Sequence, residues 1–239
     1  MLRELIKKNR QRMADECPDI AIMQYLSPAM YIIVKQILPA IDLYCRGKLL
    51  DIGAGHMPLK RILENKVGPY DTLDVEARTG NVTFIGSVLD MHMIQAGVYD
   101  TAVSFAVLEH VPDPFRAVAE INRILKIDGY FLLSLPHVSR LHEIPHDYFR
   151  FTEFGIKALL EKNGFEIIEL QRSGTLLSLL AHQISTVLIG LTWHIPVFNQ
   201  FIFWLNKLLI VYPLSWIDMR FMKNSLTPMN YFCVARKIK

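Results

Sequence analysis

Cysteine is scarce in this chain: Cys17, Cys45 and Cys233 are few, scattered and odd in number. That excludes a disulfide scaffold, argues against a cysteine-built zinc site and suits a reducing compartment. An excess of one charge is lacking too. Lys and Arg number 26 and Asp and Glu 23, so the formal net charge is only +3. No basic stripe with interleaved aromatics appears, and nucleic acid is not an expected partner. Basic residues gather only near the ends, at Arg3, Lys7, Lys8, Arg10 and Arg12 and at Arg236, Lys237 and Lys239. They read as solvated ends, or as a weak attraction to an anionic surface. The charged opening stretch is unlike a secretory leader, so a cytoplasmic location is expected.

One long stretch lacks charge of either sign. Between Arg172 and Asp218 the only charged side chain is Lys207. Residues 176–193 approach membrane-spanning length, yet they contain Ser178, His182, Gln183, Ser185, Thr186, Gly190 and Thr192. Pro196 should break this piece, and Pro213 a second apolar piece over 198–212.

A glycine is also missing. The run Leu49-Leu50-Asp51-Ile52-Gly53-Ala54-Gly55 is an apolar strand that ends in a turn with two spaced glycines. A dinucleotide-binding G-x-G-x-x-G pattern needs a third glycine at 58, where the chain has Pro58. A pyrophosphate would be poorly cradled. A ligand held by hydroxyls and an adenine is more plausible, and an NAD-dependent dehydrogenase less so.

The length of 239 residues suits one α/β domain with an elaboration. Residues 1–46 read as helical. Strands are expected over 48–52, 71–75, 82–85, 100–105, 129–135 and 165–170, and helices over 59–66, 114–126 and 152–163. Asp113 and Thr152 stand at the starts of the last two helices and Gly164 at the end of the second. Residues 230–236 are rich in strand formers. Such alternation builds a mostly parallel sheet, with ligands beyond the carboxyl ends of its strands. The candidate site is therefore Asp51 and Gly53, Asp74 and Glu76, Asp90, residues 106–110, and the chain from Pro136 onward.

Together these segments resemble class I S-adenosylmethionine-dependent methyltransferases. The resemblance rests on Leu50-Asp51-Ile52-Gly53-Ala54-Gly55, Leu73-Asp74, Ser87-Val88-Leu89-Asp90 and Val107-Leu108-Glu109-His110-Val111-Pro112-Asp113-Pro114, in that order. It covers roughly residues 45–170. It implies a doubly wound, seven-stranded, mostly parallel α/β sheet whose last strand is antiparallel, with an N-terminal helical cap and an apolar helical insertion before that strand. It implies S-adenosylmethionine as cofactor. Asp51, Gly53, Ala54 and Gly55 would meet its methionine portion, Asp74 with Glu76 its ribose, and Asp90 with Leu89 its adenine. Ala106 and Glu109 complete the expected cofactor-binding set. A subset with proline after the glycines also carries a segment like His146-Asp147-Tyr148-Phe149-Arg150-Phe151-Thr152, and resembles enzymes of glycan, lipid or natural-product pathways.

That segment overhangs the expected donor pocket. His146, oriented by Asp147, is the first candidate base for a hydroxyl acceptor; His137 and His110 follow. Asp147 and Arg150 could instead form a structural salt bridge. His142, Glu143 and His146 are too loosely spaced for a metal site, so no metal is expected.

The expected organisation is a cap over 1–46, a core over 47–172 with 228–239, and an apolar insertion over 173–227. The expected function is methyl transfer to an oxygen or other heteroatom of a small, hydrophobic or lipid-linked acceptor. The alternative is a non-catalytic scaffold of the same fold. Expected partners beyond the acceptor are a membrane surface touched peripherally through 173–217 and a second copy of the chain in a homodimer.

Overall fold

The structure is a computed structural model. It describes residues 8–9, 12–13, 15–16, 19–78, 82–195, 197–221 and 226–239. Arg3, Lys7 and Arg10 of the basic N-terminal cluster, Cys17 and Pro196 lie outside the described residues.

Seven strands form one sheet: β1 (Leu49–Ile52), β2 (Tyr70–Asp74), β3 (Phe84–Ile85), β4 (Tyr99–Phe105), β5 (Leu125–Pro136), β6 (Phe165–Ser173) and β7 (Asn230–Lys237). Their spatial order is β3-β2-β1-β4-β5-β7-β6. The pairs β1–β2, β1–β4, β2–β3 and β4–β5 are parallel, and β7 runs antiparallel to β5. This is the expected seven-stranded, doubly wound α/β sheet with a helical insertion before its last strand. Strand order reverses between β1 and β4, which opens a crevice at their carboxyl ends.

The helices are α1 (Ile20–Met23), α2 (Pro28–Tyr44), α3 (Lys60–Lys66), α4 (Pro114–Ile124), α5 (Glu153–Lys162), α6 (Leu176–Thr192), α7 (Phe198–Asn206) and α8 (Tyr212–Phe221). In α4, Ala117, Val118, Ile121 and Ile124 are buried at helical spacing against the sheet. Asp113 caps α4 by accepting from the Arg116 N–H at 3.0 Å. Thr152 caps α5 through the Gly155 N–H at 3.1 Å. The helix expected over 114–126 ends two residues early, because Leu125 already pairs with Tyr99 in the sheet.

The chain divides into two compact units. One contains residues 37–55, 59–171 and 230–239, hence nearly the whole sheet. The other contains the described residues up to Gln36, with 56–58 and 172–229.

In this second unit Pro213 does not break the apolar segment. One continuous helix runs over Phe198–Phe221. A π-helical stretch, Lys207–Val211, joins α7 to α8, and the Tyr212 N–H reaches back to the Lys207 carbonyl. Proline removes one N–H and its ring presses on the preceding turn; a local widening to π geometry absorbs both. Lys207, the lone charge, lies 3.7 Å from the centroid of the Tyr25 ring and 4.7 Å from that of Trp204. Such cation–π contacts let a cation sit in an apolar stretch.

Asp218 of α8 is buried and ties this unit together. Its Oδ2 accepts from the Thr175 N–H at 3.1 Å, the Thr175 hydroxyl at 2.7 Å and the Ser178 hydroxyl. Asp218→Ala leaves these donors buried without their acceptor, at a cost of about 2 kcal/mol. The expected result is a fall of roughly 4–8 °C in the thermal midpoint, read by calorimetry. An unchanged midpoint would show that these bonds add nothing net.

Candidate active site

A cleft of about 590 Å³ opens at the carboxyl ends of the central strands. The turn after β1 contributes Gly53 and Gly55, both at positive φ (69° and 54°). The loop after β2 contributes Asp74, Val75 and Arg78, and the chain after β3 contributes Gly86, Ser87, Val88 and Leu89. Beyond β4 come Ala106, Val107 and His110, and from the segment after β5 come His142, Glu143 and His146. Ala106 holds the left-handed conformation at φ 55°, which a residue with a Cβ adopts at a cost.

The geometry of the floor follows from the two glycines. The Gly53 N–H bonds the Leu73 carbonyl at 2.8 Å, which stitches the turn to β2. A Cβ on Gly53 would stand 2.8 Å from Val107 Cγ1 and overlap Cγ2 as well, so the turn and the wall meet only because no side chain is there. Asp74 is buried at the end of β2. Its Oδ2 accepts from the Gly55 N–H at 2.8 Å and its Oδ1 from the Glu76 N–H at 3.3 Å. A carboxylate has about four acceptor sites, so each oxygen keeps capacity for a ligand hydroxyl.

Of the residues singled out from sequence, Gly53, Gly55, Asp74, Leu89, Ala106, His110 and His146 line the cleft. Asp51, Ala54, Glu76, Asp90, Glu109, His137 and Asp147 are not on its wall. Asp51 is buried in β1 and accepts from the Tyr70 hydroxyl at 2.8 Å. Ala54 donates its N–H to the Leu73 carbonyl. Glu76 is exposed and pairs with Arg78 at 2.8 Å. Asp90 is exposed, and its Oδ1 lies 3.1 Å from the His92 ring and accepts from the His92 N–H. Residues 86–89 line the cleft here, and this carboxylate does not. His137 places its Nδ1 2.8 Å from the Phe151 carbonyl.

Asp147 does not orient His146. It makes a two-pronged pair with Arg150 at 2.6 and 2.9 Å and accepts from the His142 N–H at 2.8 Å. The Arg150 guanidinium holds its carboxyl well below the usual carboxylate range. This is the structural salt bridge that the sequence allowed as an alternative. The His146 ring instead meets the Tyr148 hydroxyl at 3.0 Å. The N–H groups of Tyr148 and Phe149 both bond the Glu109 carbonyl, which fastens the histidine segment to the 3-10 turn Leu108–His110.

Arg78 was not anticipated. It lines the cleft and pairs with Glu76 at 2.8 Å and Glu143 at 3.6 Å, linking the loop after β2 to the histidine segment. A lone arginine in a charged loop carries no sequence signal for a contact so distant along the chain. Glu109 is fully buried, and burial pushes its carboxyl up to about 7. Burial lowers the imidazole of His110.

Asp51 sets a pH dependence. Burial, opposed by the Tyr70 hydrogen bond and helped by Asp74, pushes its carboxyl up from 3.8 to about 6. A raised carboxylate disfavours its ion in the fold, so its stability contribution is present below about pH 4 and is lost as pH rises through about 6. Asn at 51 keeps an acceptor for Tyr70 without the charge. Asp51→Asn is therefore expected to stabilise the chain at pH 8 by about 2–3 kcal/mol relative to its effect at pH 4. Urea denaturation at both pH values checks this; equal effects would remove Asp51 as the cause.

The chain matches a family model described as "Methyltransferase domain" over residues 2–170. Solved structures share its fold. An S-adenosylmethionine-dependent methyltransferase from Archaeoglobus fulgidus is 16% identical, with 86% of this chain and 91% of that one covered and a TM-score of 0.53. One from Methanosarcina mazei is 17% identical, with coverage of 84% and 97% and a TM-score of 0.52. One from Mesorhizobium loti is 15% identical, with coverage of 84% and 96% and a TM-score of 0.56. No curated protein matches the chain.

Proposed function

Because the chain belongs to the methyltransferase-domain family and is an S-adenosylmethionine-dependent enzyme, we propose that it methylates an oxygen, or another heteroatom, of a small hydrophobic or lipid-linked acceptor at a membrane surface. One observation carries the reading. The glycine turn with Asp74, and the histidines His110, His142 and His146, line the same cleft.

The residues present fit the donor. Gly53 keeps the floor free of a side chain, so the ligand can approach the main chain. Asp74 keeps acceptor capacity for two ribose hydroxyls, and Val88 and Leu89 offer apolar surface for adenine. When bound, S-adenosylmethionine supplies a methyl group activated by a sulfonium. The chain's own part is to orient the acceptor, exclude water and take a proton. His146 and His110 are the wall residues able to take one from an acceptor hydroxyl. His110 holds its Nδ1 against the His146 carbonyl at 2.6 Å, which leaves its Nε2 to act.

The membrane part rests on the second unit. The helix over Phe198–Phe221 has 24 residues, and little of its most apolar stretch is buried. Phe201, Trp204, Leu208 and Trp216 are exposed on it, and Leu176, Leu180 and Ile184 form an exposed stripe on α6. An apolar face with tryptophans suits in-plane seating at a lipid interface. Trp193 takes no part: it is buried, and its indole N–H donates to Glu16 at 2.9 Å.

Mass spectrometry with a labelled methyl donor and hydroxylated lipid, glycan and phenol acceptors tests the reaction. Label in an O-methyl product supports it, and label only in carbon-methylated products overturns it. Flotation with anionic phospholipid vesicles tests the surface. Co-flotation lost in the Trp204→Ser/Trp216→Ser double variant supports it, whereas protein left wholly in the soluble fraction removes the membrane clause.

A further inference from the structure

We propose that Glu109, His110 and His142 form a site for one divalent transition-metal ion in the wall of the cleft. A carboxylate oxygen of Glu109 and one ring nitrogen from each histidine lie within 4.8 Å of one another. The carboxylate belongs to the 3-10 turn after β4 and His142 to the segment after β5, so the trio exists only in the fold.

The hydrogen bonds around the trio leave three acceptors facing each other. The Glu109 side chain is 1% exposed, and neither carboxylate oxygen has a hydrogen-bond partner. His110 Nδ1 is 2.6 Å from the His146 carbonyl. A carbonyl only accepts, so Nδ1 carries the proton and Nε2 keeps its lone pair. That Nε2 is 3.8 Å from Glu109 Oε1. His142 repeats the pattern: Nδ1 is 3.1 Å from the Arg140 carbonyl, and Nε2 is 3.9 Å from the same Oε1. Metal-ligating histidines ordinarily give their second nitrogen to a carbonyl or carboxylate in this way.

Among the described residues Arg150 is the cation whose charge acts on Glu109, and it is committed to Asp147 and to the Phe149 and Arg140 carbonyls. Buried acceptors without a donor are costly, and one cation would satisfy all three. Two imidazoles and one carboxylate suit zinc, manganese, iron or cobalt, whereas magnesium prefers oxygen. Metal–ligand bonds of about 2.0–2.2 Å bring ligand atoms to roughly 3–3.5 Å apart, so the side chains need to close by about 1 Å.

His110 and His142 also line the cleft, so an open coordination position would face the cavity. On the acceptor reading above, that position would hold the acceptor's oxygen and ease loss of its proton, and with His110 Nε2 bound to the metal the proton would pass to His146. The site itself does not depend on that reading. Sequence spacing led to the opposite expectation, because it weighed His142 with His146 and Glu143; the carboxylate comes instead from another strand end.

The test is a Co²⁺ titration of chelator-treated full-length protein, followed by visible absorption, with Zn²⁺ competition and Mg²⁺ as comparison. The expected result is one Co²⁺ per chain, displaced by Zn²⁺ and not by Mg²⁺. Glu109→Gln and His142→Ala should each weaken binding by at least about 10-fold. His92→Ala, which removes an exposed histidine elsewhere, should change nothing. His142 is partly exposed, so its variant reads the site even if Glu109→Gln fails to fold. No saturable binding at one equivalent, or binding unchanged in His142→Ala, would overturn the proposal. Calorimetry with S-adenosylmethionine on the metal-free protein separates the two sites: donor binding without metal binding sinks only this inference, and metal binding without O-methylation sinks only the acceptor reading.

Discussion

Asp74→Ala is expected to weaken S-adenosylmethionine binding at least about 100-fold. A hydrogen bond to a charged group contributes about 1.5–3 kcal/mol, and a ribose offers two hydroxyls to one carboxylate. Each tenfold in affinity is 1.4 kcal/mol, so two such bonds exceed a hundredfold even at the low end of the range. The loss has a second source. Asp74 also accepts from the Gly55 N–H at 2.8 Å, and alanine would release the turn that forms the floor. Asp74→Asn separates the two. Its amide oxygen can still accept from one N–H, so the turn survives and a loss nearer tenfold is expected. Calorimetric titration reads both variants. Equal binding in Asp74→Ala and the parent would mean that the ribose lies elsewhere.

Much of this site is legible in the sequence because it depends on strand ends. An apolar run that stops at an acidic residue or a glycine marks where a parallel strand delivers its next residues, and Gly53 and Asp74 follow from that rule, while Ala106 follows from its place just after β4. Side-chain direction does not. Asp90 stands at the expected place, but the His92 N–H and ring draw its carboxylate outward. Asp147 is beside His146 in sequence, yet the guanidinium of Arg150 captures it. Pro213 looks like a helix stop, and only the backbone shows the π-helical stretch that accommodates it. The pairing of Glu109 with His142 is hidden for a different reason. It joins two strand ends, and no local spacing encodes that approach. Caps are the opposite case: Asp113 and Thr152 act within a single turn and are readable at once.

Gly53→Ala should cost the fold about 2–5 kcal/mol, more than any other change considered. Two effects combine. A residue with a Cβ pays roughly 1–2 kcal/mol for the left-handed conformation that Gly53 holds at φ 69°. The new methyl would also overlap both Cγ atoms of Val107, and overpacking of that kind costs about 1–3 kcal/mol. Val107 packs against the hydrophobic core, so its side chain cannot swing away cheaply. The expected fall in thermal midpoint is roughly 5–15 °C for a chain of this size. The second substitution Val107→Ala tells the terms apart. It removes the Cγ atoms, so the double variant Gly53→Ala/Val107→Ala should recover the steric part and keep the conformational part. Full recovery would mean that the backbone turn carries no strain, and no recovery that the overlap is not the cause. Both residues line the cleft, so Gly53→Ala should also abolish donor binding, and Val107→Ala, by opening the wall, should restore it in part. Stability and donor affinity thus move together at this position, because the absence of a side chain closes the turn against its wall and also gives the ligand its approach to the main chain.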